Sequence, residues 1–307
     1  MAAFVERDRC PTCGSGAIST LLSRDFGHHS VWHFLKTYYG GRLPRREVGG
    51  RRYEISRCGI CGLLWQRYIL SDAGMERLYT HWISADESLA KQRAQAARRG
   101  GLAARELEIV ARLLRRPPSG IRVLDFGMGW GRWCAVARAM GFDVAGVELS
   151  EVRRKYAQGM GVEAHRDLDA IARGSIDFAN AEQVFEHLPA PRDTLRQIAE
   201  RLSPRGIVRV SVPNARGIAA QLIAPHWHAA KDALHPLEHI NAFDTRALEW
   251  LGREAGLRRL PLPRRAPLEP GLAAALREAA LHSWAARRGT VMYFERADEA
   301  RPLRGQA

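Results

Sequence analysis

Val123-Leu124-Asp125-Phe126-Gly127-Met128-Gly129-Trp130-Gly131 reads as a hydrophobic strand that runs into a G-x-G-x-G turn and opens a helix, Trp130 to Met140. Glycine is required where a backbone turns with positive φ and lets a ligand approach closer than any Cβ allows. About twenty residues on, Val144-Ala145-Gly146-Val147-Glu148 puts a carboxylate at the end of a second strand, where it can accept hydrogen bonds from a ribose diol. Strand, loop, helix and acid in this register describe a nucleoside-binding crevice. A dinucleotide fingerprint would need glycine at position 132, which is arginine here. Asp125 precedes the glycines, and a negative charge there suits a cationic ligand better than a pyrophosphate.

Outward from this loop, short apolar runs alternate with amphipathic stretches, the pattern of βαβ units on a parallel sheet. Strands are expected at Ile121–Phe126, Asp143–Val147, near Val162–His165, and at Ile176–Ala181, Ile207–Val212 and Thr290–Phe294. Helices are expected at Glu151–Gln158, Pro191–Leu202, Thr245–Ala255 and near Leu272–Ala286. Residues Arg216 to Asn241 interrupt the alternation with His226, Trp227, His228, His235 and His239, and suggest a lid or acceptor-binding segment. Upstream, Ala85 to Arg116 is helical in period, with a break expected at Gly100-Gly101 and an end at Pro117-Pro118.

The first 80 residues lack a long helical period and carry two near-identical knuckles, Cys10-Pro11-Thr12-Cys13-Gly14 and Cys58-Gly59-Ile60-Cys61-Gly62. Four thiolates at this spacing can surround a zinc ion tetrahedrally, and such a closed site has a structural role because no position is left for water or substrate. Neither knuckle closes the site alone. The intervening segment must fold as its own excursion, and His28, His29 and His33 within it are alternative ligands. Cys134 stands apart and is read as core.

Composition bounds the rest. The 307 residues, 46% of them hydrophobic, suffice for one α/β core and a small extra module. No eighteen-residue uncharged apolar run occurs and Met1 to Arg9 is charged, so a cytoplasmic protein without a membrane span is expected. The formal net charge is +14, yet only four of the 47 basic residues are lysines and the chain is also rich in alanine and glycine, a joint bias that a GC-rich coding sequence produces. A polyanion groove and arginines dispersed over the surface both remain open.

The segment Ala104 to Arg296 resembles class I S-adenosylmethionine-dependent methyltransferases of the ubiquinone type. Besides the glycine loop, Asn180-Ala181-Glu182-Gln183-Val184-Phe185-Glu186-His187-Leu188 is similar to their segment after the fourth strand. Val210-Ser211-Val212-Pro213-Asn214 is similar to their fifth strand, and Glu238-His239-Ile240-Asn241-Ala242-Phe243 to their late histidine segment. The resemblance implies an α/β fold: a Rossmann-like seven-stranded sheet of order 3-2-1-4-5-7-6, helices on both faces and an antiparallel last strand. A zinc-binding module (1–80), connecting helices (81–117), a methyltransferase domain (118–297, lid 216–241) and a disordered tail (298–307) are the expected parts.

Carried over by position, Asp125, Gly127, Gly129 and Gly131 shape the S-adenosylmethionine loop and Glu148 holds the ribose. Asp167 faces the adenine, with Arg166 or Asp169 as substitutes. Glu182 lies where methionine moiety and acceptor meet. Because the sulfonium is already activated, the chain mainly aligns the acceptor and excludes water. His187 is the first candidate for a general base and His239, with His235, the second. A turn-capping role for His187 stays open. The acceptor expected is a small molecule, a sugar, lipid or secondary-metabolite precursor, with anionic ones compatible with the charge. The alternatives are an RNA methyltransferase gripping nucleic acid through the zinc module and arginines, and a non-catalytic cofactor-binding scaffold. Asn180-Ala181-Glu182-Gln183 lacks the aromatic and proline residues that would hold a flipped base.

Overall fold

The computed structural model describes residues 3–260 and 289–297. The helix expected near 272–286 and the tail 298–307 lie outside these residues. The chain order is β1 (Phe4–Glu6), β2 (Ile18–Asp25), α1 (His29–Tyr38), β3 (Arg52–Cys58), β4 (Leu64–Gln66), β5 (Tyr68–Leu70), α2 (Asp72–Arg77), α3 (Ala85–Ala94) and α4 (Ala96–Leu114). The second part follows with β6 (Arg122–Phe126), α5 (Arg132–Ala139), β7 (Asp143–Val147), α6 (Glu151–Gly159), β8 (Glu163–His165), β9 (Ile176–Glu182), α7 (Pro191–Arg201) and β10 (Leu202–Pro213). It closes with α8 (Ile218–Leu222), β11 (Asn241–Ala242), α9 (Thr245–Glu254), β12 (Leu257–Arg259) and β13 (Gly289–Arg296).

The large sheet runs β8-β7-β6-β9-β10-β13-β12, which is the expected order 3-2-1-4-5-7-6. β13 pairs antiparallel with both neighbours, while β6 to β10 pair parallel. Alternate residues of the strands enter two different cores. Leu124, Ala145, Ala179 and Val208 pack with Leu195 and Ile198 of α7 and Leu248 and Leu251 of α9. Val123, Val144, Phe178 and Ile207 pack with Leu107 and Val110 of α4 and Trp133 and Ala137 of α5. Helices therefore cover both faces, which is why the strands are apolar throughout and not half polar.

One expectation shifts. The helical region upstream breaks at Gln95, where α3 ends, and Gly100-Gly101 sit inside α4. The Ser84 side chain caps α3 by accepting from Glu87 N–H, and α4 ends at Arg115 in the left-handed conformation just before the proline pair. The aromatic stretch between the cysteine pairs forms α1, ten residues long, with Val31 and Leu35 buried.

The first 80 residues do not fold as a self-contained unit. Their four-stranded sheet, β11-β4-β3-β2, takes its edge strand from Asn241–Ala242, far along the chain. Its core joins Phe26, Val31, Leu35, Tyr53 and Trp82 to Ile218, Leu222, Leu234 and Leu237 of the expected lid. An isolated N-terminal module would leave these faces in water, and at roughly 25 cal/mol per Å² of apolar surface the shared core is favoured. No helix among the described residues is long and apolar enough to cross a membrane.

Candidate functional site

The glycine loop sits at the carboxyl end of β6, beside the ends of β7 and β9. Its three glycines all have positive φ, at 73°, 58° and 75°, but for different reasons. A Cβ on Gly127 would lie 2.5 Å from Val184, and one on Gly131 2.8 Å from Ala157, so both permit close packing. At Gly129 a Cβ would meet nothing within 4 Å, which leaves open space in front of the loop for a ligand. Gly129 N–H donates to Glu148 Oε2 at 3.0 Å, and Ser150 N–H donates to Oε1 at 2.9 Å. Glu148 is thereby held at the end of β7, largely buried, with one edge toward the loop. Beside it Leu149 is 71% exposed and Val152 61%, an apolar surface that the sequence reading did not single out.

Asp125 is placed differently from the expectation. It is 4% exposed and faces the α4–α5 side beneath the loop. Its carboxylate accepts from Asn180 Nδ2 at 2.8 Å and touches the Cys134 thiol at 3.8 Å. Burial pushes its pKa up to about 8, so at neutral pH it is largely protonated and offers no full charge to a sulfonium. Asn180 in turn accepts from Arg209 Nη1 at 2.8 Å, and Arg209 pairs with Glu106 of α4 at 2.9 Å. This buried polar chain had no signal in the sequence beyond an arginine within an apolar strand. Asp167 is exposed after β8, and its side chain accepts from Asp169 N–H at 3.1 Å. Glu182 ends β9 on the rim, half exposed, 3.8 Å from Arg209.

A second group of side chains gathers just past β9. The turn Phe185–His187 is tied to the 238–241 segment by Ile240 N–H donating to Glu186 O at 2.8 Å and by Asn241 Nδ2 donating to Leu188 O at 2.7 Å. These bonds bring His187 and His239 together, ring centres 4.8 Å apart, with His235 3.9 Å from His239. His239 Nδ1 lies 2.8 Å from the Asp232 carbonyl. A carbonyl can only accept, so Nδ1 carries the proton and Nε2 keeps its lone pair. Burial lowers His187 to about 4, His235 to about 3 and His239 to about 2, leaving all three neutral at pH 7. Glu186 is 1% exposed, and among the described residues neither oxygen has a hydrogen-bond partner; burial raises it to about 8. Ligand atoms of Glu186, His187 and His239 fall within 4.8 Å of one another.

The N-terminal helix walls this group. Phe34 and Tyr38 of α1 stand 5.6 and 5.4 Å from the His235 ring, and Lys231 lies over Tyr38 at 5.0 Å. Tyr39 donates to the Glu238 carboxylate at 2.9 Å. Trp227 stacks on Tyr53 at 5.9 Å, which makes it a contact between the lid and the N-terminal sheet.

The cysteines converge. Cys10 and Cys61 sulfurs are 3.5 Å apart, as are those of Cys13 and Cys58, and all four lie within 4.8 Å. A tetrahedral zinc with bonds of about 2.3 Å needs sulfur separations of about 3.8 Å, so the donor set fits. Ile60 and Cys61 N–H groups point at Cys58 Sγ at 3.4 and 3.5 Å, and Gly14 and Gly62 take positive φ after each knuckle. His28 and His29 pack with tilted rings 4.3 Å apart, His29 facing His228 edge-on, and neither joins the cysteine group.

A family model described as a methyltransferase domain matches residues 91–261, over half of the chain and coextensive with the glycine loop, Glu148 and the histidine group. The chain belongs to the class I methyltransferase domain family. Within that family, a ubiquinone biosynthesis O-methyltransferase of Xanthomonas axonopodis pv. citri (strain 306) is 29% identical over 164 residues, 47% of this chain and 65% of that protein. One from Caulobacter sp. (strain K31) is 32% identical over 110 residues, 33% of this chain and 44% of the other. The chain thus spans less than two thirds of the length of these relatives. Among solved structures, 1,6-didemethyltoxoflavin-N1-methyltransferase of Burkholderia thailandensis, with bound 1,6-didemethyltoxoflavin and S-adenosylhomocysteine, aligns at a TM-score of 0.44 and 21% identity over 70% of this chain and 92% of that one.

Proposed function

We propose that this protein transfers a methyl group from S-adenosylmethionine to a small-molecule acceptor, with a structural zinc ion on Cys10, Cys13, Cys58 and Cys61. The observation that carries the reading is the juxtaposition, past the same sheet edge, of an open Gly129 face, a Glu148 carboxylate and a buried neutral histidine group. Glu148 receives the ribose hydroxyls, Leu149 and Val152 cover the adenine with Asp167 at its edge, and Glu182 lies toward the amino-acid end. When bound, the sulfonium supplies an activated methyl group. The chain holds the acceptor in line, excludes water, and takes up the proton that the acceptor O, N or C loses as the new bond forms. His239 Nε2 is that proton acceptor, its tautomer set by the Asp232 carbonyl; burial holds its basicity low in the free protein, and a bound anionic acceptor raises it by stabilising the imidazolium. His187 and Glu186 stand beside it as relay, and Lys231 favours an anionic acceptor.

Arginines paired with carboxylates on every part of the fold, such as Arg42–Glu87, Arg77–Glu47 and Arg122–Glu163, support dispersed charge over a nucleic-acid groove. The test is release of S-adenosylhomocysteine over a panel of anionic and neutral small acceptors, by the wild type and by His239→Ala. A loss in turnover of about 10²–10⁴-fold with cofactor affinity kept is expected. Activity that needs an added divalent cation would instead make Glu186, His187 and His239 a metal site. Cofactor binding with no turnover on any acceptor would favour a scaffold, and RNA binding that falls steeply with salt an RNA enzyme.

A further inference from the structure

We propose that Gln66 is a positioning residue for this site, delivering the influence of the cysteine-bearing sheet to the catalytic histidines. Gln66 ends β4, five residues after Cys61, and is wholly buried. Its carboxamide is used completely on one loop. Nε2 donates to His235 O at 2.8 Å and to His239 O at 3.0 Å, while Oε1 accepts from Leu237 N–H at 3.4 Å. Its backbone N–H donates to Ile240 O at 2.9 Å. Three successive alternate residues of the 235–239 loop are thus gripped by a single side chain.

The loop has reason to need that grip. Leu237 has φ 76°, a left-handed conformation that a branched side chain adopts at a cost of about 1–3 kcal/mol and keeps only where its surroundings impose it. The strained residue is the one whose N–H Gln66 holds. Arg7 adds a second clamp from β1's end, donating to Ile240 O at 2.8 Å and to Asn241 Oδ1 at 2.9 Å. If the 235–239 backbone relaxed, His239 would move away from the Asp232 carbonyl that fixes its tautomer, and Nε2 would lose its defined lone pair.

The inference rests on His239 as proton acceptor, but its test does not need turnover. Imidazole nitrogen spectra of the ¹⁵N-labelled, zinc-loaded full chain, free of cofactor, are compared for the wild type, Gln66→Met, Gln66→Glu and a control, Ser56→Ala. Ser56 lies in the same sheet, fully buried, and its hydroxyl has no partner among the described residues. The wild type is expected to show one fixed Nδ1–H tautomer for His239. Gln66→Met should turn it into a tautomer mixture with faster proton exchange, Gln66→Glu should do so in part, and Ser56→Ala should leave it alone, with S-adenosylhomocysteine affinity within about threefold throughout. Should Gln66→Met fail to fold, Gln66→Glu decides. A His239 signature unmoved by the Gln66 changes, or moved equally by Ser56→Ala, would overturn the assignment.

Discussion

At the scale of single residues, the three loop glycines separate folding from binding. Gly127→Ala is expected to destabilise the fold, because it adds a 2.5 Å contact with Val184 to the strain of positive φ, a sum of about 2–3 kcal/mol by urea unfolding. Gly129→Ala carries the strain alone, about 1 kcal/mol, yet places a methyl in the ligand space and should weaken S-adenosylhomocysteine at least about tenfold. Asp125 makes a pH prediction. Its folded pKa, about 8, lies above the ordinary 3.8, so the folded chain holds a proton that the unfolded chain releases. Its stabilising contribution is full below pH 4 and falls as pH rises toward 8, at about 1.4 kcal/mol per pH unit. Asp125→Asn removes that slope, and chemical denaturation from pH 5 to 8 should show the variant gaining on the wild type. The turn at the glycines and the place of Glu148 at the end of β7 were legible because a positive φ and a strand end restrict those positions to few residue types. The burial of Asp125 on the α4–α5 side was not legible, because the motif alone also fits a residue at the loop's front.

At the scale of elements, the parallel sheet was legible in its apolar runs, and the order 3-2-1-4-5-7-6 followed from the family resemblance. The short β12 and the location of the break between α3 and α4 were not, since three residues carry no period and Gly100-Gly101 are tolerated within a helix at about 1 kcal/mol each. Beneath the loop, α4 and β10 are joined by Glu106 and Arg209 at 2.9 Å, both nearly buried. Arg209→Met would leave Glu106 uncompensated and is expected to cost about 3–5 kcal/mol, with recovery in the double variant Glu106→Leu/Arg209→Met, both read from unfolding curves. A recovery that failed to appear would mean that the pair does not act as a unit. The cysteine sheet gives a metal prediction. Purified protein should carry one zinc per chain, and Cys61→Ser should lose it together with the cooperative melting of β2, β3 and β4, followed by hydrogen exchange.

At the scale of the whole molecule, the N-terminal sheet and the 215–242 segment form one core, and it stands over the histidine group. Nothing in the local pattern announced this. Pairing Asn241 with Trp65 joins segments far apart in sequence, and a strand of two residues is specified only by its partner. Truncation of residues 1–80 should therefore expose Leu234, Leu237 and Ile218 and yield aggregated protein, whereas an independent module would leave a soluble, cofactor-binding remainder; yield and light scattering of the truncated chain distinguish the two. The same architecture links the cysteine group to the histidine group, because Gln66 of β4 and Arg7, just after β1, both reach the 235–241 segment.

The most direct measurement is calorimetric titration of zinc-loaded protein with S-adenosylhomocysteine, beside a Gly129→Arg variant whose fold is checked by its melting. The account predicts one-to-one binding in the micromolar range by the wild type and its loss in the variant. A folded, zinc-loaded wild type that binds no S-adenosylhomocysteine, or a Gly129→Arg chain that binds it equally well, would contradict the assignment of this crevice.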